Sequence, residues 1–336
     1  MMTHPLHPLI LCSIISLLAA CGGDSGSSST TPPTQEPTAV PTELPSLEPT
    51  AVPTAEPTVE PGVLTAIDEF GDNPSNLGMH LYVPSDLPNM APVLLAVHYC
   101  TGDGPTFYRN SGYANLADQH GFIVIYPTAE RSSKCFDVAS SAALARDGGS
   151  DPVALRSMVG YVESQYNVDA DRIFVAGVSS GAMMTNVMLA LYPEVFSAGA
   201  AFAGVPYKCF ATSGSSEWST ACANGSINKT AQEWGDLVRS ANPEYNGPFP
   251  RVQLWHGTDD DVLDYTNFEE AIEQWTNVHN LTQIAVATDT LSASLTRTRY
   301  GNDGEQALVE AYRMENIGHN LPVDESEAIR FFGLDQ

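Results

Sequence analysis

The sequence is poor in basic residues. It contains 14 Lys and Arg against 40 Asp and Glu, which gives a formal net charge of -26 at pH 7. A surface of this sign repels phosphate groups, so neither nucleic acid nor an anionic membrane surface is expected as a partner. A neutral partner, such as a polysaccharide, fits this charge better.

The sequence also lacks the usual signatures of metal and cofactor binding. It contains no H-E-x-x-H motif, no Cys/His pairs at zinc-ligand spacing, and neither the Walker nor the dinucleotide-binding glycine pattern. We therefore expect a protein that works without a metal or an organic cofactor.

The N-terminus is typical of an export signal. Residues 9–20 are apolar but too few to span a bilayer as a permanent helix. The sequence LAACG at 18–22 resembles a bacterial lipobox. It predicts a signal peptide over residues 1–20 and a lipid on Cys21 that anchors the protein to the bacterial cell envelope. The alternative is an ordinary secretory signal, and the absence of Lys and Arg before residue 9 weakens both interpretations.

A low-complexity segment follows over residues 21–62, in which EPTAVPT occurs at 36–42 and again at 48–54. Proline fixes φ and removes a backbone donor, so this segment is expected to be an extended, solvated tether. The remaining residues, 63–336, have the length of one α/β catalytic domain. Nothing in the sequence indicates an oligomer, and we expect a monomer.

Four cysteines remain for the folded domain: Cys100, Cys135, Cys209 and Cys222. An even number in an exported protein indicates two disulfides. Three pairings are possible from the sequence. Local closure of Cys209 with Cys222 would leave Cys100 with Cys135 as the complement.

Short apolar segments alternate with helical patterns after residue 63. Residues 92–98, 122–126, 172–176, 198–203 and 252–255 read as strands that are buried on both faces. Apolar residues recur at helical spacing over 155–166 and 183–191. This alternation predicts a three-layer α/β domain with a mostly parallel sheet. Residues 209–246, which are rich in Ser, Thr, Gly and Asn, are interpreted as an insertion over the sheet edge.

The main chemical motif is G-V-S-S-G at 177–181, between a predicted strand and a predicted helix. Its glycines permit a sharp turn that lifts the hydroxyl of Ser179 out of the sheet, where a base can take its proton. The N–H of Ser180, at the helix N-terminus, is then placed to hold an oxyanion. Ser180 is also the rival nucleophile, but the motif spacing selects Ser179.

The base and the acid must follow the serine in the chain. Three histidines do so, and His319, on a late loop, is the best candidate for the base. His256 precedes the only acidic cluster on its loop, so it cannot be the base in the order Ser, acid, His. His279 lies on a helical pattern. The acid is one of Asp259, Asp260 and Asp261, among which the pattern alone does not decide.

A second oxyanion donor is expected from the loop after an early strand, at residues 98–102. A disulfide at Cys100 would hold that loop still. We interpret His98 as structural.

Four segments carry a resemblance to a known family: HYCTG at 98–102, ADQHGFIVIYP at 117–127, GVSSGAMMTNV at 177–187 and AGVP at 203–206. They resemble the acetylxylan esterases of the first carbohydrate-esterase family, which are related to feruloyl esterases and polyhydroxybutyrate depolymerases. The resemblance covers residues 63–336 and implies the α/β-hydrolase fold.

The family pattern implies a role for several residues. It makes Ser179 the nucleophile, Asp260 the acid and His319 the base. Its oxyanion donors correspond to the N–H groups of Ser180 and of Cys100 or Thr101. Trp218 matches a family tryptophan that can stack on a sugar ring. Phe136 stands where the family usually has Trp after the cysteine.

The sequence thus predicts an exported serine ester hydrolase that removes acetyl groups from plant xylan through an acyl-enzyme. A feruloyl esterase is the first alternative and a polyhydroxybutyrate depolymerase the second. An alternative of another class is a surface carbohydrate-binding protein that has lost its activity.

Overall fold

The computed structural model describes residues 59–214 and 217–336. The predicted signal peptide, Cys21 and almost all of the predicted tether lie outside these residues. None of the helices in the described ranges is long and apolar enough to cross a membrane.

Ten strands of the described chain form a single sheet, and eight helices accompany it. The strands are β1 (Thr65–Ile67), β2 (Gly78–Tyr82), β3 (Ala91–Val97), β4 (Ile123–Thr128), β5 (Val168–Val178), β6 (Ala198–Phe202), β7 (Arg251–Gly257), β8 (Ala287–Ser292), β9 (Leu295–Tyr300) and β10 (Val309–Met314). The helices are α1 (Gly104–Asn110), α2 (Tyr113–His120), α3 (Asp151–Gln165), α4 (Ser180–Leu191), α5 (Thr220–Ala223), α6 (Ala231–Arg239), α7 (Thr266–Val278) and α8 (Glu325–Phe332).

The strand order is β1-β2-β4-β3-β5-β6-β7-β10-β9-β8. The six strands from β4 to β10 in this order are parallel. Two antiparallel strands are added at each end. The predicted α/β-hydrolase fold, with its mostly parallel sheet, is confirmed.

Strand β3 shows why the central strands are continuous apolar segments. All seven of its residues are buried. Successive side chains of a strand point to opposite faces of the sheet. Val93 and Leu95 therefore enter the core on one face, and Leu94 and Ala96 enter the core on the other. A polar residue at any of these positions would be buried.

Helices cover both faces of the sheet. The first core contains apolar side chains of α3, α4, α6 and α7, namely Leu155, Val187, Trp234 and Trp275. The second contains side chains of α1, α2 and α8, namely Phe107, Tyr113, Ile329 and Phe332. The result is the three-layer arrangement that the alternating pattern predicted.

The segment 209–246 connects β6 to β7, which are interior neighbours in the sheet. Helix α6 of this segment packs against α7. The indole N–H of Trp234 donates to Glu270, and the side-chain amide of Gln274 donates to the Trp234 carbonyl at 3.2 Å. This part of the segment is therefore a regular element of a helical layer.

Candidate active site

The site begins at the turn between β5 and α4. Ser179 occupies this turn with φ 55° and ψ -115°, a backbone conformation that residues other than glycine adopt rarely. Its N–H donates to the carbonyl of Phe202 on β6 at 2.9 Å. The neighbouring strand therefore holds the strained turn in place, and the serine hydroxyl projects from the end of the sheet.

Both glycine positions of the motif are too close to neighbouring backbone atoms to accept a side chain. A Cβ on Gly177 would lie 2.3 Å from the backbone of Gly181. A Cβ on Gly181 would lie 2.2 Å from the carbonyl oxygen of Val97 on β3. Both distances are far below van der Waals contact. The glycines thus allow the turn to close on itself and against β3.

Ser179 forms a hydrogen-bonded chain with the predicted base and acid. Its Oγ lies 2.9 Å from Nε2 of His319. On the other side of the ring, Nδ1 lies 2.9 Å and 3.1 Å from the two carboxylate oxygens of Asp260. A carboxylate only accepts, so Nδ1 carries the ring proton and Nε2 accepts from the serine hydroxyl. The imidazole is in the tautomer that can take the serine proton.

Asp260 is fully buried at its side chain. Burial alone would raise its pKa, but hydrogen bonds from His256, His319 and the Leu263 N–H outweigh burial and hold the pKa well below its usual range. The acid is therefore ionised at neutral pH. Asp259 and Asp261, the two other candidates, are exposed.

The loops that carry the acid and the base follow β7 and β10, which are parallel neighbours. Three hydrogen bonds join these loops: the N–H of Thr258 to Met314 at 2.9 Å, the N–H of Asp259 to Ile317 at 2.9 Å, and the N–H of Asn316 to the Thr258 hydroxyl at 2.8 Å. The pairing of the strands therefore continues into the loops and fixes the distance between acid and base.

The predicted oxyanion donors follow the serine and strand β3. Ser180 is the first residue of α4, where backbone N–H groups have no partner within the helix. Of the two alternatives after β3, Thr101 is excluded, because its N–H already donates to the carbonyl of Ser133 at 3.1 Å. Cys100 remains as the candidate for the second donor.

The loop after β3 is fixed by covalent and polar links. A disulfide joins Cys100 to Cys135. Arg131 binds Asp151 at 2.7 Å and donates to the Cys135 carbonyl at 2.9 Å. His98 is buried between two backbone groups, with Nδ1 2.6 Å from the Tyr99 carbonyl and Nε2 3.2 Å from the Ala129 N–H. It therefore supports the loop and does not reach the serine.

A cavity of about 900 Å³ opens onto Ser179 and His319. Its walls are mainly apolar and include Phe107, Met183 and Leu321. This volume is at the upper end of the range for small-molecule sites. An acyl group and part of a larger alcohol can therefore occupy it together. In residues 59–214 and 217–336, no group of three or more His, Cys, Asp or Glu is placed to hold a metal ion.

Trp218 lies at the wall of this cavity and is 48% exposed. It makes an edge contact with Phe210, with ring centroids 5.1 Å apart. Its loop is closed by the second disulfide, between Cys209 and Cys222. Trp218 thus lines the same cavity as Ser179, with a substantial part of its surface open to solvent.

Sequence reasoning missed several cavity residues. Phe107 on α1, and Val323 and Glu325 near α8, line the cavity, although they belong to segments without a recognisable motif. Met183 was predicted as core, and it is both buried and part of the wall. The contact of His256 with Asp260 was missed as well, although the two residues are only four positions apart.

Comparison with known proteins places this geometry among esterases. Residues 77–292 match the family described as esterase PHB depolymerase. An acetylxylan esterase of Coprinopsis cinerea is 43% identical over 279 residues, which cover 81% of this chain and 74% of that protein. A feruloyl esterase B of Talaromyces stipitatus is 41% identical over 274 residues, which cover 81% of this chain and 76% of that protein.

A solved structure gives the same result. The acetyl xylan esterase from Aspergillus awamori superposes with a TM-score of 0.77 and 36% sequence identity, and the match covers 81% of this chain and all of that one.

Proposed function

The chain belongs to the esterase PHB depolymerase family, and from this premise we propose that it removes acetyl groups from xylan by a serine acyl-enzyme mechanism. It is a carboxylic ester hydrolase. Acetylxylan is the substrate in the names of two of its similar proteins. A neutral polysaccharide also suits a chain with a formal net charge of -26.

In the first step, His319 takes the proton of Ser179, and Oγ attacks the acetyl carbonyl carbon. The negative charge on the carbonyl oxygen is held by the N–H groups of Ser180 and Cys100. The bond from this carbon to the sugar oxygen then breaks, and His319 gives its proton to the departing sugar oxygen, which leaves as a hydroxyl group. Asp260 stabilises the imidazolium throughout.

In the second step, a water molecule replaces the sugar. His319 takes a proton from the water, whose oxygen attacks the acetyl-serine carbonyl. The bond to Oγ breaks, the serine recovers its proton from His319, and acetate leaves. Each step reuses the same three side chains, so no other co-reactant is required.

The observation that carries this proposal is the chain of contacts from Ser179 Oγ through His319 to Asp260. The test is acyl release by the full chain and by Ser179→Ala from acetylated xylan, methyl ferulate and polyhydroxybutyrate. We expect acetate release to dominate and to be lost in the variant. Appreciable turnover by Ser179→Ala would overturn the mechanism.

A feruloyl esterase is the second candidate. It is favoured by the 41% identity to a feruloyl esterase B and by the large, mainly apolar cavity, which has room for an aromatic acyl group. Preferential release of ferulate in the same assay would keep the three residues and change the substrate. Preferential release of hydroxybutyrate would identify a polyester depolymerase.

The carbohydrate-binding alternative requires an inert serine. An organophosphonate labels only an activated serine, so labelling of Ser179 in the folded protein separates an enzyme from a binding module. The ordered contacts of Ser179, His319 and Asp260 favour labelling.

We further propose that the protein is exported and monomeric. Two disulfides support an oxidising compartment, where such bonds persist. The lipid on Cys21 depends on a segment outside the described residues. Expression in a bacterium tests it, since Cys21→Ala would then move the protein from the membrane fraction to the soluble fraction.

A further inference from the structure

A second histidine contacts the acid of the proposed triad. His256, the penultimate residue of β7, is 1% exposed. Its Nε2 lies 2.8 Å from the carbonyl oxygen of Leu263 and 3.1 Å from Oδ2 of Asp260. His256 precedes the acid in the chain, which rules it out as the base. Its ring nevertheless lies against the Asp260 carboxylate.

The tautomer of His256 follows from these two partners. Both are acceptors, because a backbone carbonyl and an ionised carboxylate have no proton to give. Nε2 therefore carries a proton and donates it to the Leu263 carbonyl, and the same N–H lies 3.1 Å from Oδ2 of Asp260, close enough to attract its negative charge. His256 thus stabilises the ionised form of Asp260.

The hydrogen bonds to Asp260 are divided between its two oxygens. Oδ1 accepts the N–H groups of Val262 and Leu263 at 2.9 Å and 2.8 Å. Nδ1 of His319 lies 2.9 Å from Oδ2 and 3.1 Å from Oδ1, and His256 is the other partner of Oδ2. If His256 were absent, the backbone would hold only Oδ1, and the carboxylate could rotate away from His319.

The His256 ring is itself held in place. It packs against Tyr265 and Phe268, with ring centroids 6.1 Å away in each case. Helix α7 begins at Thr266, so these contacts join the ring to the start of a helix. The donor atom thus has a fixed position relative to both the sheet and the helical layer.

We propose that His256 is a positioning residue that fixes the rotation of the Asp260 carboxylate and thereby the orientation of His319. The proposal rests on the proposed function, since it concerns the same triad. His256 does not touch the substrate and acts only through Asp260. The reactive unit is then a chain of four side chains, from Ser179 to His256.

Three substitutions of His256 test the role of its N–H. His256→Leu keeps an apolar side chain of comparable volume and removes the donor. His256→Gln places an amide N–H at about the reach of Nε2, whereas His256→Asn is one methylene shorter and falls short of Asp260. Steady-state kinetics with p-nitrophenyl acetate would be measured for each in the full chain, and thermal unfolding would show which variants are folded.

We expect kcat to fall about 10- to 100-fold in His256→Leu and His256→Asn, because small misplacements of reacting groups have effects of this size. KM should stay within about threefold. His256→Gln should recover most of the loss. The comparison of His256→Gln with His256→Asn remains valid even if His256→Leu does not fold, because both of these side chains are polar amides.

Two results would overturn the proposal: wild-type kcat in a folded His256→Leu or His256→Asn, or equal loss of kcat in the Gln and Asn variants. Ser179→Ala, assayed beside them, separates this failure from that of the proposed function. If Ser179→Ala remains active, the triad itself is wrong. If it is inactive while the His256 variants are unaffected, only the positioning role is wrong.

Discussion

The proposed active site consists of two halves that are held in different ways. The acid-base half comprises the loops after β7 and β10, with Asp260 and His319. Hydrogen bonds that extend the pairing of two parallel strands hold these loops together. The oxyanion half comprises the loop after β3, with Cys100. A disulfide fixes that loop to the segment after β4, which the Arg131–Asp151 ion pair in turn joins to the start of α3.

Strand order does not explain the difference, because β3 and β4 are parallel neighbours just as β7 and β10 are. The loops after β7 and β10 continue the strand pairing through their backbone groups. The segment that supports the oxyanion half, at Arg131 and Cys135, is irregular, and one backbone hydrogen bond, from Thr101 to Ser133, joins it to the loop after β3. The disulfide adds a covalent link there. The acid-base half should therefore depend on single hydrogen bonds, and the oxyanion half on its crosslink.

The largest effect is expected in the acid-base half, from Asp260→Asn. The amide would no longer stabilise an imidazolium at His319 and would favour the wrong tautomer, so kcat should fall about 10³- to 10⁴-fold. Turnover of p-nitrophenyl acetate measures this loss. Asp261→Asn, at an exposed neighbouring carboxylate, is the matched control and should stay within about twofold of wild type. Similar losses in both variants would reopen the choice of the acid.

A smaller loss of activity is expected from the oxyanion half when Cys100 and Cys135 are both replaced by Ser. The donor at residue 100 would remain but would be less fixed, so kcat should fall about 10-fold, less than for complete loss of a donor. The disulfide closes a loop of 35 residues, and its removal should lower the free energy of unfolding by about 4 kcal/mol on the chain-entropy account.

The second disulfide provides the control for that experiment. Replacement of Cys209 and Cys222 by Ser opens a loop of 13 residues and should also lower stability. It should leave kcat for p-nitrophenyl acetate within about twofold, because no oxyanion donor lies in that loop. If both double variants lose kcat equally, the effect of the first is general destabilisation and not a loss of oxyanion binding.

A substitution outside both halves should change binding alone. Trp218→Ala removes an exposed ring from the cavity wall, so the apparent KM for acetylated xylan should rise about 3- to 10-fold while the KM for p-nitrophenyl acetate stays the same. A stacking contact with a sugar ring would produce this pattern. Trp218→Phe is the control that keeps an aromatic face. An equal rise with both substrates would mean that Trp218 shapes the acyl site.

The smallest predicted effect is on stability and concerns His279, at the end of α7 and outside both halves. Burial lowers its pKa from 6.5 to about 4. The unfolded chain then binds a proton between these values while the folded chain does not, so stability is lost as pH falls from about 6.5 to 4. The contribution is at most about 3 kcal/mol, and less because the ring is partly exposed.

Chemical unfolding at pH 7 and pH 4.5 would measure this contribution. His279→Gln should reduce the difference between the free energies of unfolding at the two pH values, while kcat at pH 7 remains unchanged. An unchanged difference in the variant would assign the acid sensitivity to other groups.

The fold was predictable from the sequence because its central strands are short apolar segments between helical patterns. The choice of Ser179 and His319 was accessible too, because the turn motif and the order of the triad restrict the nucleophile and the base. The acid was not accessible from the pattern alone: three adjacent aspartates differ only in burial, which depends on the packing of the loop. The choice of Cys100 over Thr101 as the second oxyanion donor depended on one backbone hydrogen bond, from the Thr101 N–H to Ser133.

Two features had no local signal at all. The cavity walls from Phe107 and Glu325 come from α1 and α8, which are distant in sequence. The contact of His256 with Asp260 requires the loop after β7 to turn back beneath the carboxylate. Sequence spacing alone does not reveal such a turn.

The pairing of β7 with β10 also bears on how the active enzyme forms. Ser179 and His319 are 140 residues apart in the chain, and the loop of the base reaches the acid only after β10 has docked beside β7. Contacts between distant segments form slowly, because chain entropy must be lost before they are made. Catalytic activity therefore reports the completion of folding: during refolding, ester hydrolysis should recover later than helical structure.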